Sequence, residues 1–280
     1  MQKRKTLFVP VGGLANRMRA IDSIVSLCKH YNRTLEIIWF KDLALNAGYY
    51  SLFGPIELPN VIIREATLLD YFLYDRPRKH NLFVSWFFQM FAFRKRIYEQ
   101  TCYKRSLRNE GYPELASNSP IYMASFVRLA PSELHFSMFN PILKILNQIG
   151  LICDRLGPMC IGIHIRRGDN IQSTIESPLS LFIDRMDKAI STNPETTFYL
   201  ATDSENVKKT IIQHYGKRIT TLSRSADRLS DSGMQDAVME MYILASTKKI
   251  FGCYHSSYSV LAAELGNIPY EEIRKQPIQE

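Results

Sequence analysis

Hydrophobic positions along the chain fall into two rhythms. Thr6-Leu7-Phe8-Val9-Pro10-Val11 and Leu35-Glu36-Ile37-Ile38-Trp39-Phe40 are apolar runs of strand length, while Leu14, Met18, Ile21, Ile24, Val25 and Cys28 recur at the spacing of one helical face. Gly12-Gly13 supplies the turn between the first strand and this helix. Strand, turn, helix, strand is a βαβ opening, and its crossover implies parallel pairing. The second half keeps the same beat: strands expected at 160–166, 197–201, 218–222 and 249–253 alternate with helices at 178–191, 204–215, 234–246 and 256–266. Four βα units in succession predict a doubly wound α/β domain. Residues 41–130 carry scattered prolines and many aromatics without a period, so several short helices are expected there. Pro131-Ser132-Glu133-Leu134 reads as a helix start, and the apolar spacing from Phe139 to Leu156 predicts a helix stopped by Gly157-Pro158, a candidate bridge between domains. The length of 280 residues favours two domains, divided as 1–150 and 151–280.

Composition narrows the partners. An apolar share of 46% is ordinary for a globular chain and excludes intrinsic disorder. The net charge of +8 asks for an acidic partner, which could be nucleic acid, an anionic membrane or a phosphorylated small molecule. No nucleic-acid module is present, and the basic residues are dispersed apart from Arg76-Pro77-Arg78-Lys79-His80 and Arg94-Lys95-Arg96, so no nucleic-acid partner is expected. Those two clusters flank the apolar run Leu82–Phe93, which is too short to cross a bilayer. It reads first as a buried helix with solvated ends, and second as a segment lying on an anionic membrane surface. Five scattered cysteines without CxxC spacing indicate neither a disulfide framework nor a zinc site. With no secretion signal recognisable, the expected location is the cytoplasm, with peripheral contact at the inner membrane face as an accessory expectation.

Candidate chemistry concentrates where strands give way to helices or loops. In Cys160-Ile161-Gly162-Ile163-His164-Ile165-Arg166-Arg167-Gly168-Asp169, alternation puts the three isoleucines on one face and Gly162, His164 and Arg166 on the other. Paired arginines after a buried strand point to an anion site, since Arg grips phosphate through two parallel hydrogen bonds; structural carboxylates are the alternative partners. Gly12-Gly13-Leu14-Ala15-Asn16-Arg17 could bring backbone and helix-start N–H groups to an anion, or could be a tight turn with Asn16 and Arg17 on a solvated helix face. Asp203 falls at a strand end, where it could bind a ribose or base, cap the next helix, or leave capping to Ser204. Ser256 and Ser257 could cradle phosphate or simply cap. The chain has no GxxxxGK[ST], spaced GxGxxG, HExxH or Cys/His ligand set.

Together these segments resemble the fucosyltransferase superfamily of α1,2-, α1,6- and protein O-fucosyltransferases. His164-Ile165-Arg166-Arg167-Gly168-Asp169 is similar to its HxRRxD signature, Gly12–Arg17 to its N-terminal glycine motif, Ala201-Thr202-Asp203 to its second C-terminal motif, and Asp236 through Ser259 to its third, with His255 where asparagine is common. A bacterial α1,2-like member is the form suggested. The resemblance implies a GT-B fold, two Rossmann-like domains facing a cleft, with GDP-fucose on the C-terminal domain and a glycan acceptor on the N-terminal one. It implies inverting, metal-independent transfer, with no cofactor. Arg166 would hold the β-phosphate and His164 the nucleotide, Asp203 the guanosine, Ser256 and Ser257 the phosphates, while Gly13 would contact the donor and Asn16 would lie near the reaction centre, with Arg166 and Asn16 the catalytic pair. Arg167 and Asp169 more readily shape the loop. The alternative is a non-catalytic GDP-sugar-binding protein of the same fold. Acceptor, general base and oligomeric state stay open.

Overall fold

A computed structural model of the chain describes residues 4–77, 79, 82–168, 171–223 and 229–275, so Asp169 lies outside the described residues. Two compact units result, Met1–Ile142 and Leu143–Glu280. Each is built on a five-stranded sheet in which every pairing is parallel.

The first unit runs β1 (Lys5–Pro10), α1 (Leu14–His30), β2 (Thr34–Trp39), β3 (Val61–Glu65), α2 (Leu68–Leu73), α3 (Val84–Ala92), β4 (Lys95–Ile97), α4 (Glu99–Arg108) and β5 (Ile121–Ser125). Its strand order is β3-β2-β1-β5-β4. The order reverses beside β1, between β2 on one side and β5 on the other, and ligands of open α/β sheets gather at such points. Leu7, Val9 and Val11 pack with Ile38, Phe40, Phe93, Tyr122 and Ala124 on one sheet face. Three strands lie in the region that showed no period. β3 and β4 are too short to set a rhythm, and β5 is buried at every position, so it alternates with nothing.

The expected helix start at Pro131 does not form. Residues 131–139 are turns and bends, held against α1 by buried polar side chains: Ser23 Oγ accepts from Leu129 N–H (3.0 Å), Asp22 Oδ1 from Phe136 N–H (3.1 Å) and Ser26 Oγ from Glu133 N–H (3.3 Å). Burial raises the Asp22 carboxyl above its ordinary range. α1 thus spends its polar residues on the backbone of a segment with no ladder of its own.

The second unit runs α5 (Leu143–Cys153), β6 (Cys160–Ile165), α6 (Ile171–Glu176), α7 (Leu179–Thr192), β7 (Thr197–Thr202), α8 (Glu205–Tyr215), β8 (Ile219–Thr221), α9 (Asp231–Ala245), β9 (Ile250–Cys253), α10 (Ser257–Gly266) and β10 (Tyr270–Ile273). Its order, β10-β9-β6-β7-β8, switches between β6 and β9. β10 was not legible because Tyr270-Glu271-Glu272-Ile273 is an edge strand with little apolar signal. The alternation expected along β6 is present. Ile161, Ile163 and Ile165 enter a cluster with Phe182, Met186, Phe198 and Phe251, while Gly162 and His164 take the other face. A Cβ at Gly162 would lie 2.8 Å from Leu244 Cδ2 and 2.9 Å from Thr247 Oγ1, so its lack of a side chain lets α9 sit close to the strand.

Among the described residues no helix is long and apolar enough to cross a membrane. The run Leu82–Phe93 forms α3, but not as a buried helix: only Ser85 and Gln89 of its nine residues are buried.

Candidate functional site

The switch point of the second sheet brings four expected site residues, His164, Arg166, Ser256 and Ser257, to the carboxyl ends of β6 and β9. His164 is buried, its ring 4.9 Å from that of Tyr258, and its Nδ1 lies 3.3 Å from Ser256 Oγ. Ser256, 1% exposed, is the N-cap of α10, its hydroxyl also accepting from Ser259 N–H. The capping reading therefore holds for Ser256, whose hydroxyl at the same time faces His164. Ser257 opens the helix itself. Its amide and that of Tyr258 are the first of α10, where partial positive charge collects. His255 precedes the cap at φ 53°, a left-handed conformation that asparagine and histidine tolerate better than most residues.

Arg166 follows β6 directly, and its amide donates to Cys253 Sγ at 3.3 Å across the switch point. Asp203, at the end of β7, accepts from the backbone N–H groups of Arg167 (2.7 Å) and Gly168 (3.1 Å), one on each oxygen. It does not cap α8; Ser204 does, accepting from Val207 N–H. Asp203 thus anchors the loop that carries Arg166, and each carboxylate oxygen retains a second lone pair. The Arg167 guanidinium donates to the carbonyls of Arg166 (2.9 Å) and Ser177 (2.8 Å), which makes it a brace of the same loop.

Two supporting groups escaped the sequence reading. Ser177, fully buried, accepts from Tyr254 N–H at 2.8 Å and donates to Ile273 O, fixing the loop before α10 to the end of β10. A lone serine before a proline carries no signal of this. Glu240, buried on α9, has its carboxyl pushed up to about 8, chiefly by burial, while Lys208 opposes and Asp236 and Asp203 reinforce the shift. An acid among Met239, Met241 and Ile243 on a buried helix was the available clue. A cavity of about 330 Å³ lies elsewhere in this unit, between α5, α9 and the end of β8, and its lining includes Arg155 and Asp236 but none of the strand-end residues above.

In the first unit, Gly12 and Gly13 join β1 to α1 at that sheet's own switch point. Gly12 has φ 83°, open to glycine and costly for a side chain, and Asn16 Nδ2 would lie 3.2 Å from a Cβ there. Asn16 is half-buried in the first turn of α1, and Gly13 stands at its N-cap. Arg17 is not on a solvated face. It is fully buried, donates from Nε to Gly12 O (2.7 Å) and from Nη1 to Phe40 O, pairs with Asp42 at 3.0 Å, and stacks over Trp39. Burial lowers its pKa to about 10, so it stays charged at neutral pH. The glycine turn is clamped from beneath.

No protein-family model and no curated protein matches the sequence. Solved structures do match. The NodZ α1,6-fucosyltransferase of Bradyrhizobium, from a crystal soaked with GDP-fucose, aligns with a TM-score of 0.64 at 15% identity over 94% of this chain and 92% of that one. An Arabidopsis thaliana FUT1 variant in complex with GDP gives 0.63 at 10% identity over 98% and 71%. POFUT1 in complex with GDP-fucose gives 0.58 at 12% identity over 96% and 98%. Identities this low establish architecture and nothing finer. The chain has the two-sheet α/β, GT-B fold of these fucosyltransferases.

Proposed function

We propose that this chain is an inverting, metal-independent glycosyltransferase that moves fucose from GDP-fucose to a glycan acceptor. The observation that carries the proposal is the gathering of His164, Arg166, Ser256 and the start of α10 at one switch point, with Asp203 fixing the loop between them. That the similar structures were solved with GDP or GDP-fucose supports the choice of donor.

The chemistry follows from charge. The bond between the anomeric carbon and the β-phosphate oxygen breaks, its electron pair stays on GDP, and the acceptor hydroxyl oxygen bonds to the opposite face of the carbon as its proton passes to a base or to water. Negative charge grows on the diphosphate as the bond lengthens. Arg166 and the first amides of α10 meet that charge, and a fixed array meets it better in the transition state than before it. These groups supply the role a divalent cation would otherwise take. In the proposal Ser256 and Ser257 hold phosphate oxygens, His164 orients Ser256 and contacts the nucleotide, and Asp203 offers its remaining lone pairs to the guanosine. Gly13 is assigned to donor binding and Asn16 to the reaction centre.

Turnover of GDP-fucose over a panel of glycan acceptors, read as GDP released and fucosylated product formed, tests this. Arg166→Lys keeps the charge and loses the planar fork, so turnover should fall by roughly a hundredfold or more with folding intact, and excess EDTA should leave the parent rate unchanged. Binding of GDP-fucose without transfer or hydrolysis across the panel would assign the chain to non-catalytic binding instead.

A further inference from the structure

α3 is built inside out. A surface helix ordinarily turns its apolar stripe inward. Here Ser85 and Gln89, one turn apart, face the protein, and Phe83, Trp86, Phe87, Met90 and Phe91 face solvent, with Phe91 84% exposed. The inward polar groups are satisfied. Gln89 Nε2 donates to Leu73 O (3.1 Å) and Asp75 O (3.0 Å), and its Oε1 accepts from Tyr98 O–H (2.9 Å). α2 packs beside α3 and repeats the inversion: Asp70 is buried against Arg64 and Thr67, while Leu68, Leu69 and Phe72 are exposed. Two neighbouring helices therefore present a hydrocarbon and aromatic surface whose own polar side chains are already bonded within the fold. Leu82, 90% exposed, extends it at the start of α3.

We propose that this face docks on an anionic lipid bilayer. Three observations select that occupant. The outward face carries almost no polar group that insertion would strip of water, which is what shallow burial at the headgroup and acyl boundary requires. From Arg76 to Tyr98 the sequence contains six Lys and Arg residues and no Asp or Glu. Arg76 and Lys79 are committed to Glu99 and Asp42, whereas Arg94, just after α3, and Lys95, the first residue of β4, are exposed, Lys95 also feeling the charge of Glu114. Cations at the rim of an apolar face complement anionic headgroups, whereas a second copy docked on the same face would set like charges together. The proposal does not depend on the donor or on transfer.

Trp86 makes the test direct, because the chain has two tryptophans and the other, Trp39, is buried. Vesicles of phosphatidylcholine with about 30% phosphatidylglycerol should sediment the full chain and blue-shift its emission, and pure phosphatidylcholine should do so far more weakly. The double variant Phe87→Ser/Phe91→Ser should bind roughly tenfold less or worse, with an unchanged circular dichroism spectrum since both rings stand in solvent. Arg94→Glu/Lys95→Glu should lose binding to a similar degree and remove most of its salt dependence. Failure to partition to the anionic vesicles, or equal partition by the parent and the double-serine variant, overturns the proposal. So does a concentration-dependent dimer that the serine substitutions dissolve in the absence of vesicle binding, which would give the face to a second copy.

Discussion

Glu240→Gln probes the interior beneath the candidate site. In the folded protein burial lifts this carboxyl from 4.5 to about 8, with Asp236 and Asp203 adding to the shift. The unfolded chain gives up the proton near the ordinary value, so between the two the folded state binds the extra proton and stability falls as pH rises. At about 1.4 kcal/mol for each tenfold change in proton activity, the gap from 4.5 to about 8 sets an upper limit of roughly 5 kcal/mol. Glutamine keeps the shape and stays neutral at every pH. Urea unfolding of parent and variant from about pH 5 to about pH 9 reads the effect: the parent should lose at least about 2 kcal/mol relative to the variant as pH rises. GDP affinity should follow. Above the transition an ionised Glu240 repels Asp203, whose carboxylate holds the Arg167 and Gly168 amides, so parent affinity should drop near pH 9 while that of the variant holds. Parallel stability curves for the two proteins would refute the neutral, buried carboxyl.

Other substitutions reach the remaining parts of the account. Arg17→Met leaves Gly12 O, Phe40 O and Asp42 without their buried cation and should cost roughly 3–5 kcal/mol in urea unfolding. Asp203→Ala removes the acceptor for two backbone amides, so about 1–3 kcal/mol of stability should go, and GDP binding measured by calorimetry should weaken about tenfold. Gly162→Ala forces a methyl against Leu244 and Thr247 and should destabilise by roughly 1–3 kcal/mol, seen as a lowered Tm.

What the sequence made legible depended on rhythm. β1, α1 and β2, and the run from β6 to α10 apart from the short α6, announce themselves because long amphipathic helices alternate with buried strands, and the alternation along β6 parts Ile163 from His164. The α/β class followed. β3, β4 and β5 were hidden by brevity, and β10 by its two glutamates. The turns after Ala130 were misread as a helix because what orders them is the distant Asp22, Ser23 and Ser26. α3 was misread for a sharper reason. Its hydrophobic content is real, but pattern alone does not tell which side of a helix meets the protein, and two polar residues took the inner side. At the candidate site, strand-end residues could be read from their position, whereas Ser177 and Cys253 act through contacts spanning tens of residues and leave no local mark, and Glu240 shows only as an acid among buried apolar neighbours.

In the proposed function the switch point of the second sheet binds guanosine diphosphate. Thermal unfolding of the full chain with GDP, UDP, CMP and their sugars tests it most directly, since a ligand at 100 times its dissociation constant adds about 2.7 kcal/mol to the folded state. GDP and GDP-fucose should raise the transition, the uridine and cytidine compounds should not, and Arg166→Lys should sharply reduce the response. Stabilisation by a uridine or cytidine nucleotide in preference to GDP, or an Arg166→Lys response equal to that of the parent, would rule out a guanosine diphosphate site at this switch point.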